Sequence, residues 1–242
     1  MVDTAPLSGE VAEALAYAST ATVSMQLLKR GFRSIAMRRV KPLGDAPRRV
    51  VGRAWTLRYI PMREDLCGPE VLARPDFAPR VAIEAVPPGS ILVIAALGHA
   101  DTGVVGDILA ARLKHRGLAA IVTDGGVRDA AAVAEVGLPI WCAGAAAPAS
   151  ITTLSGADLQ TPVGCGGVAV IPGDVLVCDG DGVVVVPQAL VEEVAEGARR
   201  QEHLETFIQM KVAQGSPTRG LYPPDEATLA AYEEWARTEK PR

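Results

Sequence analysis

The spacing between one aspartate and a later arginine–aspartate pair constrains the fold more than any other feature of this sequence. Asp107 is followed by twenty residues and then by Arg128-Asp129. Residues 107–116 have helical periodicity and precede Gly117, which favours the left-handed conformation that ends many helices. The apolar run 118–123 then predicts a buried strand. A helix of this length covers about 15 Å and the strand returns over about 20 Å, so both acidic positions are expected at the same end of the unit.

This end of the unit has the chemistry of an anion site. Gly106 lies in the turn before the helix, and the backbone N–H groups of Ile108 and Leu109 in its first turn are expected to be free. Such groups lie at the positive end of the helix dipole and bind small anions. We therefore expect Gly106, Asp107, Ile108 and Leu109 to contact a substrate carboxylate.

Arg128 and Asp129 would extend this site towards keto-acid chemistry. A planar guanidinium suits a carboxylate, and an aspartate is a ligand that Mg²⁺ or Mn²⁺ accepts. An α-keto acid would place its carboxylate at the helix start and its keto oxygen against the metal and Arg128. There the negative charge of an enolate would be stabilised.

A purely structural role is the alternative for both aspartates. Asp107 could cap its helix, and Asp129 precedes a short predicted helix over residues 130–136. Arg128 favours the functional interpretation, because it lies between a Gly-Gly turn and Asp129 at the C-terminal end of an apolar strand. Open α/β folds bind ligands at such strand ends.

The same residues give the chain a resemblance to the RraA-like family. This family includes 4-hydroxy-4-methyl-2-oxoglutarate and 4-carboxy-4-hydroxy-2-oxoadipate aldolases and regulators of ribonuclease E activity. Its hallmark is Gly-x-x-Gly-Asp, twenty residues, then Arg-Asp, and the corresponding residues here are Gly103, Gly106, Asp107, Arg128 and Asp129. Similar segments before and after this motif extend the resemblance over roughly residues 10 to 200.

The resemblance implies a role for each motif residue. Asp129 would hold the divalent metal, Arg128 would bind the keto acid and its enolate, and Asp107 would orient a metal-bound or catalytic water. The family's aldolases release pyruvate, and many also decarboxylate oxaloacetate, because both reactions pass through pyruvate enolate. Relatives commonly carry Ser-Asp-Ala-Leu where this chain has residues 24–27, Ser-Met-Gln-Leu, which points to a different substrate preference.

The resemblance also implies an assembly. Relatives form trimers or hexamers with sites between subunits, and the aldolases use a glutamate from a neighbouring subunit's C-terminal segment. Glu202 and Glu205 are the candidates here. Regulators of the family lack that glutamate, so this position bears on whether the chain is an enzyme.

The periodicity of the remaining chain predicts an α/β protein. A helix is expected over residues 10–29, strands over 49–60, 90–95 and 139–143, and Gly-punctuated strands within 164–187. This order agrees with the layered β/β/α swivelling-domain fold that the resemblance implies. We divide the chain into a catalytic domain, residues 1–200, and a C-terminal helix with an extended arm, residues 201–242, expected to pack on a neighbouring subunit.

The composition indicates a folded, acidic protein. Its 242 residues are 49% hydrophobic with a mean hydropathy of +0.20, enough for a sizeable core. A net charge of −4 argues against a nucleic-acid surface. No apolar run reaches the ~18 residues of a membrane span. Four widely spaced cysteines match no zinc or disulfide pattern: Cys67, Cys142, Cys165 and Cys178. We therefore expect a cytoplasmic protein.

We therefore expect a divalent-metal-dependent aldolase that cleaves a 4-hydroxy-2-oxo acid to pyruvate and also decarboxylates oxaloacetate. One alternative is a non-catalytic regulator that binds a ribonuclease. Another is a hydratase, dehydratase or hydrolase acting on a 2-keto-3-deoxy sugar acid. A Schiff-base route is disfavoured, because it needs a desolvated lysine and Lys114 lies in the highly charged segment Arg-Leu-Lys-His-Arg.

Overall fold

The structure is a computed structural model that describes residues 6–45, 49–65 and 69–238. Its main sheet has eight strands: β1 (Lys41–Pro42), β2 (Val50–Pro61), β3 (Ile91–Ala95), β5 (Ala120–Thr123), β7 (Ile140–Cys142), β9 (Leu154–Leu159), β12 (Val175–Cys178) and β13 (Val183–Val186). The order is β1-β7-β5-β3-β2-β12-β13, and β9 also pairs with β2. The central strands β2, β3, β5 and β7 are parallel.

Two smaller sheets complete the β structure. Three parallel strands form the first: β4 (Gly103–Val105), β6 (Gly126–Val127) and β8 (Gly144–Ala145). The second is a hairpin of β10 (Val163–Cys165) and β11 (Val168–Val170). The helices are α1 (Gly9–Tyr17), α2 (Thr20–Lys29), α3 (Ala78–Ala85), α4 (Asp107–His115), α5 (Ala130–Val136), α6 (Val191–Ala213) and α7 (Glu226–Thr238), with short 3₁₀ turns at Pro69–Ala73, Ser150–Thr152 and Gln188–Leu190.

The layers follow from strands that are buried on both faces. In β3, Leu92 and Ile94 face the core beneath α3, α4 and α5, while Ile91 and Val93 face the core shared with the β10–β11 hairpin. A strand between two cores reads as a continuous apolar run, as β3 does. A third core lies between α1, α2 and α6 and the β12–β13 pair. The predicted layered α/β fold with a C-terminal helical extension is confirmed.

The N-terminal helix prediction was wrong in one respect. Residues 10–29 form two helices, because the chain is extended at Ala18 and Ser19 starts a new helix by accepting the N–H of Thr22. A serine in the N-cap position stabilises a helix start, and this signal was overlooked. The chain still ends α2 as expected, with Gly31 at a φ of 88°.

The C-terminal segment also differs from the expected extended arm. It contains α7, which folds back onto α6 of its own chain through Tyr232 and Trp235. There the ring of His203 lies 5.0 Å from that of Trp235 and 2.8 Å, through Nδ1, from the Tyr232 hydroxyl. The proposed division at residue 200 falls inside the continuous helix α6.

Three of the cysteines are described, and all three are free and buried: Cys142, Cys165 and Cys178. Burial raises the pKa of each thiol, so these side chains are neutral and unreactive. Cys67 lies outside the described residues. None of the helices in the described part of the chain combines the length and apolar character that a membrane span requires.

Candidate functional site

The candidate site lies where the parallel strands leave the main sheet. The chain passes from β3 to β4, from β5 to β6 and from β7 to β8, so the small sheet continues the C-terminal ends of the central strands. In this sheet Val105 pairs with Val127, and Val127 pairs with Ala145. Helices α4 and α5 start directly after β4 and β6. The start of α4 at Asp107 and the Arg128-Asp129 pair therefore lie at the same end of the unit, while a shared site for their side chains stays a prediction.

Arg128 is held by its backbone and by a glycine. Its N–H donates to the carbonyl of Val105 at 2.9 Å. Its side chain crosses Gly103 so closely that a Cβ added there would lie 2.2 Å from Arg128 Cγ. The guanidinium is exposed and pairs with none of the described residues. A positioned cation is thus available to a ligand.

Asp129 occupies an unusual backbone conformation. Its φ of 54° and ψ of 39° are left-handed, a region that aspartate, asparagine and glycine adopt more readily than other residues. Its carbonyl accepts the N–H of Val133 at 2.8 Å, but its side chain makes no capping hydrogen bond. The alternative that Asp129 is a helix cap therefore holds for the backbone only. Its exposed carboxylate has no partner among the described residues.

The start of α4 differs in detail from the expectation. Gly106 is the N-cap and Asp107 the first helical residue, and Asp107 Oδ1 accepts the N–H of Ile108 at 2.7 Å. The Ile108 N–H is therefore not free, because the carboxylate beside it satisfies this otherwise unpaired donor. The Ile108 side chain is 77% exposed and Leu109 is also exposed. A Cβ added to Gly106 would lie 3.0 Å from Asp129 Oδ2, which places the two site halves in contact.

A surface cleft of about 400 Å³ opens beside the arginine–aspartate pair. Seven residues line it: Val127, Arg128, Asp129, Ala130, Ala145, Ala146 and Ala147. The four residues predicted to contact the substrate carboxylate are all outside this lining: Gly106, Asp107, Ile108 and Leu109. The cleft therefore combines one cation and one anion with walls of small apolar side chains.

Asp124 is a site-ordering residue that the sequence analysis missed. The residue is 8% exposed, and its carboxylate accepts hydrogen bonds from the backbone N–H groups of Ala96 at 2.7 Å, Gly98 at 3.1 Å and Gly166 at 3.2 Å. These bonds join the end of β3 to the β10–β11 turn and fix the loop that leads into β4. The available signal was an aspartate directly after a buried strand and before two glycines.

The two C-terminal glutamates have different surroundings. Glu202 accepts the Thr22 hydroxyl at 2.6 Å and the Ser19 N–H at 3.2 Å, so within its own chain it caps the start of α2. Among the described residues, Glu205 accepts a hydrogen bond only from the side-chain amide of Gln201, at 2.8 Å. The structure does not bring either glutamate to Arg128 of the same chain. Participation in a neighbouring subunit's site stays a prediction for both.

The donor set at the site fits a weakly held divalent metal. No group of three or more His, Cys, Asp or Glu side chains is arranged around a metal position in residues 6–45, 49–65 and 69–238. Mg²⁺ commonly binds one or two carboxylates and completes its shell with water and substrate oxygens. The exposed, unpaired Asp129 carboxylate beside Arg128 meets that requirement, because a bound keto acid would add further oxygens.

A parallel strand end with an arginine, an acidic ligand and a helix start is characteristic of small-molecule sites in α/β proteins. The chain belongs to the RraA-like family: residues 20–185 match the family described as Aldolase/RraA. A protein from Halalkalibacterium halodurans named "Putative 4-hydroxy-4-methyl-2-oxoglutarate aldolase" is 33% identical over 163 residues, 67% of this chain and 71% of that protein.

Two solved structures are also similar to the chain. The RraAS2 protein of Streptomyces coelicolor, described as an unusual member of the RNase ES inhibitor RraA family, has a TM-score of 0.75 and 37% identity, covering 86% of this chain and 100% of that chain. An uncharacterized protein of Pseudomonas syringae has a TM-score of 0.77 and 28% identity, covering 90% and 99%. The family therefore contains proteins named as aldolases and proteins named as ribonuclease inhibitors.

Proposed function

We propose that the protein is a divalent-metal-dependent lyase that cleaves a 4-hydroxy-2-oxo acid to pyruvate and also decarboxylates oxaloacetate. The observation that carries this proposal is that the Arg128 guanidinium and the Asp129 carboxylate line one cleft at a strand end and neither pairs with another described residue. A structural ion pair would leave neither group free. We further propose a cytoplasmic homotrimer or homohexamer, in line with the family.

Three residues of the chain would have separate roles in this reaction. Asp129 would hold Mg²⁺ or Mn²⁺, which when bound withdraws electrons from the 2-oxo group. Arg128 would bind the 2-oxo acid and stabilise the negative charge that develops on its oxygen. Asp107 has one carboxylate oxygen, Oδ2, beyond the Ile108 hydrogen bond, and this atom would orient a water.

The proposed cleavage balances without an added reactant. The bond between carbons 3 and 4 breaks, the 4-hydroxyl group loses its proton and becomes a carbonyl, and the electron pair enters the pyruvate enolate. Protonation of carbon 3 then gives pyruvate. Arg128 contributes most where the charge is largest, at the enolate oxygen.

A coupled lactate dehydrogenase assay tests this function. Pyruvate release from oxaloacetate and from 4-hydroxy-4-methyl-2-oxoglutarate is measured with Mg²⁺, with Mn²⁺ and with a chelator. We expect Arg128→Lys and Asp129→Asn to lower kcat/KM by at least about 100-fold. Arg74→Lys, which alters an exposed pair with Asp76, is the matched control and should leave the rate unchanged.

A regulatory function is the second candidate, favoured by the similarity to RraAS2 over almost the whole chain. In that case the protein would slow cleavage of an RNA substrate by ribonuclease E, and Arg128→Lys would retain this effect. Absence of pyruvate with every metal, together with inhibition of the ribonuclease, would replace the lyase proposal with this one.

A further inference from the structure

The loop between β3 and β4 lies beside the candidate site. In the small sheet Gly103 and Gly126 are partners on neighbouring strands, so positions Cβ of both point to the same face. A Cβ added to Gly103 would lie 2.2 Å from Arg128 Cγ. A Cβ added to Gly126 would lie 2.5 Å from the Ala146 Cβ and 2.7 Å from the Ala100 carbonyl oxygen. The face that carries the Arg128 side chain is therefore bordered by Ala100, which lies in the middle of this loop.

Asp124 holds the loop in one conformation. Leu97 has a φ of 57°, which is rare for a bulky side chain, and Gly98 follows with a φ of 75°. The Asp124 carboxylate accepts the N–H groups of Ala96 and Gly98, one on each side of Leu97. The left-handed turn is thus stabilised from within the fold, and the residues that follow it start from a fixed backbone position.

His99 places an imidazole in this loop. Its side chain is 37% exposed and its Nδ1 lies 3.9 Å from Asp101 Oδ1, which leaves Nε2 for another partner. The chain has three histidines, all of them described. His115 ends α4, about 12 Å along the helix axis from Asp107, and His203 packs between α6 and α7. His99 is therefore the histidine that lies at the C-terminal ends of the parallel strands.

The proposed reaction needs a proton donor besides the three residues already assigned to it. Carbon 3 of the enolate must gain a proton, and an arginine such as Arg128 does not release one. Asp129 is assigned to the metal and Asp107 to a water. Histidine is the most common general acid in enzymes, because its charge changes near neutral pH. An imidazole beside the face that carries Arg128 meets this requirement.

We propose that His99 supplies the proton that converts the enolate into pyruvate. This inference rests on the proposed function, in that the enolate is bound at Arg128. The proton moves from Nε2 of the imidazolium to carbon 3, the electron pair of the enolate forms the new C–H bond, and the imidazole takes a proton back from solvent. Cleavage and decarboxylation give the same enolate, so His99 would serve both reactions.

Exchange of the methyl hydrogens of pyruvate tests this step in reverse. In D₂O with Mg²⁺, neutral His99 would remove a proton from carbon 3 and return a deuteron, and proton NMR measures the loss of the methyl signal. We expect His99→Gln to slow the enzyme-catalysed exchange by at least about 100-fold and to change the calorimetric Kd of pyruvate by less than about threefold. His115→Gln removes an exposed imidazole at the far end of α4 and is the matched control, which should exchange at the wild-type rate.

Imidazole in solution distinguishes proton transfer from a structural role of His99. The His99 N–H donates to the Ala96 carbonyl at 3.1 Å, and the His99 carbonyl accepts the Thr102 N–H at 3.2 Å, so the loop keeps both bonds in His99→Ala. Added imidazole should raise the exchange rate of this variant, above the enzyme-free rate, by about tenfold or more. Wild-type exchange in His99→Gln, a loss of pyruvate binding as large as the loss of exchange, or no rescue by imidazole would overturn the inference.

Pyruvate release separates this inference from the lyase proposal. If exchange depends on His99 but neither oxaloacetate nor 4-hydroxy-4-methyl-2-oxoglutarate gives pyruvate with any metal, the lyase proposal fails and the role of His99 stands. If pyruvate is released but exchange is absent or independent of His99, the role of His99 fails and the lyase proposal stands. If neither exchange nor release is observed, both fail.

Discussion

Replacing Gly103 with alanine should displace Arg128 while leaving the fold intact. The new Cβ would lie 2.2 Å from Arg128 Cγ and 3.0 Å from its Cδ, and 3.2 Å from the Ala146 carbonyl oxygen, which must give by a few tenths of an ångström. Carbon atoms pack at about 3.5–4.0 Å, so Arg128 Cγ must move by more than about 1 Å. Because the Arg128 side chain is exposed, it can move outwards, and we expect the cost in stability to be about 1 kcal/mol.

The cost in activity should be much larger. A charge-stabilising donor moved out of position loses most of its contribution, about 3 kcal/mol, so kcat/KM for pyruvate release should fall by about 100-fold. The melting temperature should fall by only about 2–4 °C. Gly164→Ala is the matched control, because a Cβ at Gly164 meets nothing within 4 Å. Near-normal activity in Gly103→Ala would refute the assigned role of Arg128, and a collapse of stability would refute the view that only this side chain moves.

Four further substitutions test how side-chain contacts away from Arg128 contribute to stability. Glu202→Ala should lower the free energy of unfolding in urea by about 1–2 kcal/mol through loss of the α2 cap, while Glu205→Ala should change it by less than about 0.5 kcal/mol. Asp124→Ala should cost about 3 kcal/mol or more, because three backbone donors lose their acceptor. Burial, with a smaller contribution from Arg199, lowers the pKa of His203, so its neutral form is favoured in the folded protein. Neutral His203 contributes fully to the free energy of unfolding above about pH 6.5, and this contribution is lost as the pH falls through that value towards the folded-state pKa. His203→Phe should therefore reduce the decrease in the free energy of unfolding, measured in urea, between about pH 7 and pH 5.

The sequence sufficed for the parts of the site that depend on local periodicity. Helix and strand lengths alone brought Asp107 to Arg128 and Asp129, because 1.5 Å per helical residue and about 3.3 Å per strand residue are fixed by backbone geometry. The apolar runs likewise predicted β3 and β5. These elements are long enough for their pattern to be read.

The details of the site depended on contacts between distant segments. Strands β4, β6 and β8 have two or three residues each, too few to show a periodicity. The acceptor role of Asp124 involves Ala96 and Gly166, which lie 28 and 42 residues away. The hydrogen bond from Ile108 to Asp107 is local, but it competes with an anion for the same donor, and periodicity does not distinguish these two outcomes.

The left-handed backbone at Asp129 limits how this position can be probed. Asparagine and glycine accept such a conformation with little strain, whereas β-branched residues resist it. A valine there would add a backbone penalty to the lost carboxylate, and a low rate would report both effects together. Asparagine keeps the shape and removes the charge, and glycine removes the side chain while relaxing the turn. The difference in activity between Asp129→Asn and Asp129→Gly would show how far the left-handed φ and ψ of residue 129 need a side chain to keep the site ordered.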